Sequence, residues 1–80
     1  MYKNKFGDRN NICGLRIQQL RLQSEPALSQ RALADKMQIV GVDVDKNAIQ
    51  RIESGQRFIT DIELIAFAKV FGVSVDSLYK

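Results

Sequence analysis

Four hydrogen-bonding side chains lie close together in the middle of this 80-residue chain: Lys46, Asn47, Gln50 and Arg51. Lysine and arginine suit the O6 and N7 acceptors of guanine, whereas asparagine and glutamine suit N6 and N7 of adenine. On a helix, residues 46, 47 and 50 lie on nearby rows of one face, and residue 51 lies beside residue 47. This spacing suits a helix that reads base edges and suits an ordinary solvent-exposed helix equally well, because both carry these residue types.

Local start and stop signals predict the helix that carries these side chains. Asp45 is a suitable N-cap, and Gly55 is a suitable terminator, so we expect a helix over Lys46–Ser54. Ile49 and Ile52 are its only large apolar residues. The helix therefore has a narrow apolar side and a wide polar side.

The rest of the chain also has a helical period. No segment sustains the alternation of a strand, so we predict an all-α fold, a compact bundle of five helices. Apolar spacing predicts a first helix from about Asn11 to Ser24, with Cys13, Ile17 and Leu20 on one stripe, and a second helix from its cap Ser29 to about Val40, with Leu33, Ala34 and Met37 facing inward. The capping box of Thr60 and Glu63 predicts the start of a fourth helix, which ends at Gly72. A short last helix is capped by Ser74 and carries Leu78.

The composition excludes several classes of function. The chain contains no histidine and one cysteine, Cys13. This excludes a disulfide framework, the usual zinc sites and any Ser-His or Cys-His nucleophile pair. Asp61 and Glu63 are the nearest approach to a catalytic carboxylate pair, and both are explained by a helix start. We therefore expect no enzyme, no metal and no cofactor.

The charge is distributed unevenly. The net charge is +3, but residues 1–57 hold ten Lys and Arg against six Asp and Glu, whereas residues 58–80 hold two against three. A polyanionic partner would therefore meet the first part of the chain. With no apolar run long enough for a membrane span, a polar start and one thiol, we expect a cytoplasmic protein.

The first ten residues are predicted to be a flexible N-terminal tail, with the domain proper over residues 11–80. The tail carries Lys3, Lys5 and Arg9. These cations suit a basic arm that reaches DNA, but we favour a disordered terminus.

Three segments resemble one known family. LSQRALADKM, NAIQRIESGQR and LIAFAKVFGVSVDSL are similar to the motifs of the lambda-repressor/Cro-type helix-turn-helix family, also called the XRE family. The resemblance covers about Cys13 to Tyr79. Its matching residues are Leu28, Ser29, Gln30, Leu33, Ala34, Ile49, Ile52, Glu53, Gly55, Arg57, Leu64, Ala68, Gly72, Val73, Ser74 and Leu78.

The resemblance implies a five-helix DNA-binding domain whose third helix enters the major groove while the second crosses the backbone. It implies a sequence-specific transcriptional regulator of double-stranded DNA, with a repressor as the preferred role, that binds a palindromic operator as a homodimer. The site residues that it implies are Lys46, Asn47, Arg51 and, as a fourth, Gln50 for bases; Ser29, Gln30, Gln56 and Arg57 for phosphates; and Arg21 with Glu53 as a structural ion pair.

The chain departs from the family pattern between the second and third helices. Glu53 follows Ala34 by nineteen positions, and this spacing exceeds that of the family motif by more than the residues of one helical turn. We expect a longer second helix and a looser connector, VDVD, which would shift the recognition helix. Asp43 and Asp45 also bring negative charge near the expected DNA. Asp45 is explained as a cap, and Asp43 has no assigned function.

Two rival functions stay open. The weak net charge and the two connector aspartates suit a protein-interaction module on the same fold, such as an antitoxin-like or adaptor domain. A basic stripe across the second and third helices favours DNA, and an apolar patch there favours protein. An enzyme is the least supported reading. For self-association, Phe71, Val75 and Tyr79 are candidates for a small apolar patch.

Overall fold

The structure, a computed structural model, describes residues 5–80 and contains four α-helices and one 3₁₀ helix. No strand occurs within these residues; Phe6 and Arg9 form a single antiparallel bridge. The predicted all-helical class is therefore confirmed. The elements are α1 Gly14–Gln23, α2 Gln30–Ile39, α3 Lys46–Ser54, α4 Asp61–Phe71 and the 3₁₀ helix Val75–Tyr79.

The count of five helices is not confirmed, because the last element is a five-residue 3₁₀ turn rather than an α-helix. It nevertheless contributes to the core, since Leu78 is fully buried. Ser74 caps it as predicted, with its hydroxyl accepting from the Ser77 N–H. Of the predicted tail, Lys3 lies outside the described residues.

The predicted capping residues set the helix boundaries. The side chain of Ser29 accepts from the N–H of the third residue of α2, and Asp45 does the same for α3. Thr60 and Glu63 form the predicted capping box of α4. Gly55 ends α3 with φ of 85°, a left-handed conformation that glycine adopts without a steric cost. The bounds of α3 are those that the sequence predicts.

The first helix begins later than predicted, at Gly14 instead of Asn11. The side-chain oxygen of Asn11 accepts from the Gly14 N–H at 2.8 Å. Asn11 therefore serves a free amide at the helix start from outside the helix. The helix ends at Gln23, one residue before the predicted end.

The core lies between the helices and receives a side chain from every element. Fully buried side chains are Ile17 of α1, Leu33 and Met37 of α2, Ile49 and Ile52 of α3, Phe67 of α4 and Leu78 of the 3₁₀ helix. α3 packs against both α1 and α2, so its two isoleucines anchor it to the bundle. No helix within residues 5–80 has the length and apolar character needed to cross a membrane.

The connector between α2 and α3 is anchored, contrary to the expectation that it is loose. α2 ends at Ile39, and Gly41 follows with φ of 91°. Val44 is then only 2% exposed and belongs to the core, while Asp43 and Asp45 are exposed. The alternation of VDVD thus places Val44 in the core immediately before the cap of α3 and packs Val42, partly buried, against the core. The extra residues are accommodated without releasing the start of α3.

We predict that Val44→Ala lowers the free energy of unfolding by about 1–3 kcal/mol, because it removes buried methyl groups and leaves a cavity. The matched control is Val40→Ala, since Val40 is 37% exposed and should change stability by less than about 0.5 kcal/mol. Urea unfolding measures both variants. Equal effects of the two substitutions would mean that Val44 does not anchor the connector.

Candidate nucleic-acid interface

The outer face of α3 presents the four predicted base-reading side chains together. Lys46, Asn47, Gln50 and Arg51 are all exposed. None of these four side chains makes a hydrogen bond or an ion pair with another of the described residues. Ile49, Ile52 and Glu53 occupy the buried face. The helix therefore offers its donors and acceptors outward while its opposite side is fixed.

The buried face of α3 ends in a carboxylate that is held by two other helices. Arg21 of α1 donates from Nε to Glu53 Oε2 at 2.7 Å and from NH2 to Oε1 at 3.0 Å. Gln30 of α2 adds a bond to Oε1 at 3.1 Å. The side chains of Arg21 and Glu53 are only 10% and 2% exposed. This bidentate pair, predicted as structural, joins α1, α2 and α3 at one point.

The same arginine also fixes the approach to α2. Its NH1 donates to the carbonyl of Leu28 at 2.9 Å, and the Leu28 N–H returns a bond to the Arg21 carbonyl at 3.0 Å. Arg21 thus orders the connector that leads into the cap of α2. The N-terminus of α2 and the buried side of α3 are positioned by one side chain.

The predicted phosphate-contacting residues lie around the ends of α2 and α3. Ser29 accepts a bond from Ala32 as an N-cap but keeps its hydroxyl proton available. Gln30 uses one amide N–H on Glu53. Gln56 is exposed. Each of these three residues therefore retains a side-chain donor.

Arg57 has a partner within the chain that the sequence reasoning missed. It donates from NH1 and NH2 to Glu63 Oε1 and Oε2 at 3.0 and 2.9 Å, and from NH1 to the Phe58 carbonyl at 3.0 Å. These bonds use three of its five N–H donors. The capping box of α4 had already accounted for Glu63, so the sequence held no signal for a second partner.

The Arg57–Glu63 pair shifts the pKa of both groups and so favours their charged forms. The hydrogen bond from Arg57 holds the pKa of the Glu63 carboxyl below its ordinary value, with the Thr60 N–H adding to this and burial opposing it. The hydrogen bond to Glu63 raises the pKa of Arg57. The pair joins the segment after α3 to the start of α4.

Two further cations on α2 were not singled out from the sequence. Arg31 and Lys36 are exposed and form no ion pair with the described residues. Arg31 and Lys46 line the two walls of a groove of about 260 Å³ between α2 and the start of α3, together with Asp35 and Asp45. The exposed positions of Arg31 and Lys36 on the predicted second helix were the sequence feature that could have identified them. The groove mixes both signs of charge.

Most of the large exposed apolar side chains lie outside α2 and α3. Phe58, Ile62 and Ile65 are 53%, 67% and 51% exposed at the loop before α4 and on its outer side. A cavity of about 420 Å³ is lined by Phe58 and Tyr79, among others. Of the predicted patch, Phe71 and Val75 are half-buried against the core, and Tyr79 is 52% exposed. On α2, Ile39 is an exposed exception, at 83%.

A helix-turn-helix family model matches residues 17–78, from within α1 to the 3₁₀ helix. The chain belongs to the XRE-type helix-turn-helix family. The resemblance seen in the sequence is therefore confirmed, and α2 and α3 are the two helices of the motif. This helix-turn-helix family is one of DNA-binding regulators. No curated protein and no solved structure matches the chain.

We predict that Glu53→Ala destabilises this helix-turn-helix domain by about 3–5 kcal/mol, because it leaves the Arg21 guanidinium buried without its carboxylate. Glu25→Ala, at an exposed position, is the control and should have almost no effect. The double variant Arg21→Met/Glu53→Met should recover much of the loss, since apolar side chains replace both charges. Thermal and urea unfolding test this, and a Glu53→Ala variant as stable as the control would contradict it.

We predict that Glu63 makes stability depend on acid pH. Because its pKa is lowered in the folded state, the ionised carboxylate contributes stability that is complete above the unfolded pKa of about 4.3. This contribution is lost as the pH falls through the lower folded value. Glu63→Gln should therefore flatten the fall of the unfolding free energy below about pH 4. Glu25→Gln is the control, and identical pH profiles of wild type and Glu63→Gln would contradict the prediction.

Proposed function

We propose that this domain is a sequence-specific transcriptional regulator of double-stranded DNA, acting as a repressor, with α3 in the major groove. The observation that carries the proposal is the outer face of α3, where Lys46, Asn47, Gln50 and Arg51 are exposed and have no partner among the described residues. Side chains that are fixed at helical spacing and unused by the fold suit direct readout of base edges.

The groups around this face support a docked position on the duplex. Lys46 and Arg51 would donate to guanine, and Asn47 and Gln50 would pair with adenine. At the start of α2, the free donors of Ser29 and Gln30 would join the helix dipole in binding one phosphate. These contacts give α2 the backbone-crossing role and α3 the reading role of a helix-turn-helix.

After α3, Gln56 and Arg57 would bind the backbone on the other side of the groove. Arg57 keeps two N–H donors beyond those that it gives to Glu63 and Phe58. It can therefore contact a phosphate while it still holds the start of α4. A phosphate contact positions the domain without reading sequence.

We further propose that the domain binds a palindromic operator as a homodimer. A two-fold pair would place two copies of α3 in successive major grooves, about 34–36 Å apart. The exposed apolar surface around Phe58 and Tyr79 supports self-association. Occupation of the operator would exclude other proteins from it, which is the simplest form of repression.

A second candidate function is a protein-interaction module on the same fold. Ile62 and Ile65, 67% and 51% exposed on α4, favour it. The two functions make opposite predictions for a selection from random duplexes with the purified chain. Enrichment of a common sequence supports DNA readout, and no enrichment at low salt supports the interaction module.

On the enriched duplex, we predict that Arg51→Ala and Lys46→Ala each weaken binding by about 1–3 kcal/mol and relax the preference at one base pair. Lys69→Ala is the matched control, because it removes an exposed cation from α4 and leaves α3 intact. Fluorescence anisotropy at several salt concentrations gives the affinities. Binding by both α3 variants that equals the control would contradict the assignment of these residues.

A further inference from the structure

The C-terminal end of α3 is held by the residues that precede α1. Arg9 donates from NH2 to the carbonyl of Glu53 at 2.9 Å. The backbone N–H of Asn10 donates to the Gly55 carbonyl at 2.8 Å. The last carbonyls of a helix have no partner inside the helix, so this segment satisfies groups that α3 and its cap leave open. The positive charge of Arg9 also lies at the negative end of the helix dipole.

Asn11 makes the most extensive connection. Its Nδ2 donates to the Ile52 carbonyl at 2.9 Å and to the Arg57 carbonyl at 2.7 Å. Its Oδ1 accepts from the Gly14 N–H at 2.8 Å. The residue is only 9% exposed. A single buried amide thus ties the start of α1 to the end of α3 and to the loop that follows it.

The backbones at this junction are in direct contact. A Cβ added to Gly14 would collide with the carbonyl oxygen of Ile52. A Cβ added to Gly55 would lie 2.8 Å from Cζ of Arg9, and Gly55 also has a positive φ. A side chain at position 14 would force the segments apart, and one at position 55 would displace the Arg9 side chain. The close approach allows residues 9–11 to act as a clamp on α3.

We propose that Arg9 and Asn11 are positioning residues for DNA readout, which rests on the proposed function above: they set the direction of α3 by fixing its C-terminal end. α3 is nine residues long, about 12 Å from first to last residue. Because Val44 anchors the start of α3, loss of the clamp that lets the helix tilt by about 10° would move its C-terminal end, where Arg51 lies, by about 1–2 Å on this rise per residue. That displacement is enough to break a hydrogen bond to a base edge.

The test compares a selected duplex with a random-sequence duplex, using the full chain. Asn11→Asp keeps the acceptor for Gly14 but removes both Nδ2 donors. Arg9→Gln removes both the positive charge and the guanidinium group, whereas Arg9→Lys keeps the charge without the guanidinium group. Lys5→Gln is the matched control, since it removes an exposed cation from the same segment. Circular dichroism fixes a temperature at which every variant is folded.

We expect Asn11→Asp and Arg9→Gln to weaken binding to the selected duplex by on the order of tenfold or more. Binding to the random duplex and the salt dependence should change little, and Arg9→Lys should not restore the loss. Lys5→Gln should leave the ratio of the two affinities unchanged.

Three results would overturn the proposal. The first is an unchanged affinity of Asn11→Asp for the selected duplex, and the second is an equal loss of affinity for the selected and random duplexes. The third is full affinity of Arg9→Lys together with a reduced salt dependence of binding by Arg9→Gln. The last result would make Arg9 a phosphate contact. If the wild-type chain selects no duplex, the proposed function fails and this proposal fails with it.

Discussion

The buried carboxylate of Glu53 is the constraint on which the placement of α3 depends. A helix of nine residues is too short to be stable alone in water, and this one contributes only Ile49 and Ile52 as large side chains to the core. Glu53 adds a third attachment, because Arg21 and Gln30 reach it from two other helices. Removing Arg21 from water is costly unless the carboxylate stays in place. The pair therefore fixes one relative arrangement of α1, α2 and α3.

The polar outer face of α3 follows from this mode of attachment. Since a narrow apolar stripe and one buried ion pair hold the helix, the remaining positions are free for residues that the fold does not need. Lys46 and Arg51 occupy such positions, and so do Asn47 and Gln50. Both ends of α3 are also secured, by Asp45 and the buried Val44 at one end and by Asn11 at the other. This is the rigid support that recognition by side chains of fixed spacing requires.

The parts of the fold that the sequence predicted are those determined by neighbouring residues. The bounds of α3 follow from Asp45 and Gly55, and the start of α4 follows from Thr60 and Glu63, because caps act within a few residues. The predicted start of α1 was wrong, because Asn11 acts from outside the helix and bonds to residues more than forty positions away. No local pattern encodes such a contact.

In the candidate site, too, local features were predicted from the sequence and contacts between distant residues were not. The exposure of Lys46, Asn47, Gln50 and Arg51 follows from helical spacing, and the Arg21–Glu53 pair came from the family resemblance. The bond from Arg57 to Glu63 was missed because each residue already had another assignment. The anchored connector was missed because nothing local in VDVD shows that its valines meet the core; Val44 is 2% exposed and Val42 packs partly buried against the core.

The most direct measurement is an NMR titration of the ¹⁵N-labelled chain with a duplex selected from random sequences. If α3 reads the major groove, the largest amide shifts should fall at Lys46–Arg51 and at the start of α2 near Ser29. The outer side of α4, at Ile62 and Ile65, should change little. Shifts concentrated at Ile62 and Ile65, with those of α3 unchanged, would contradict the account.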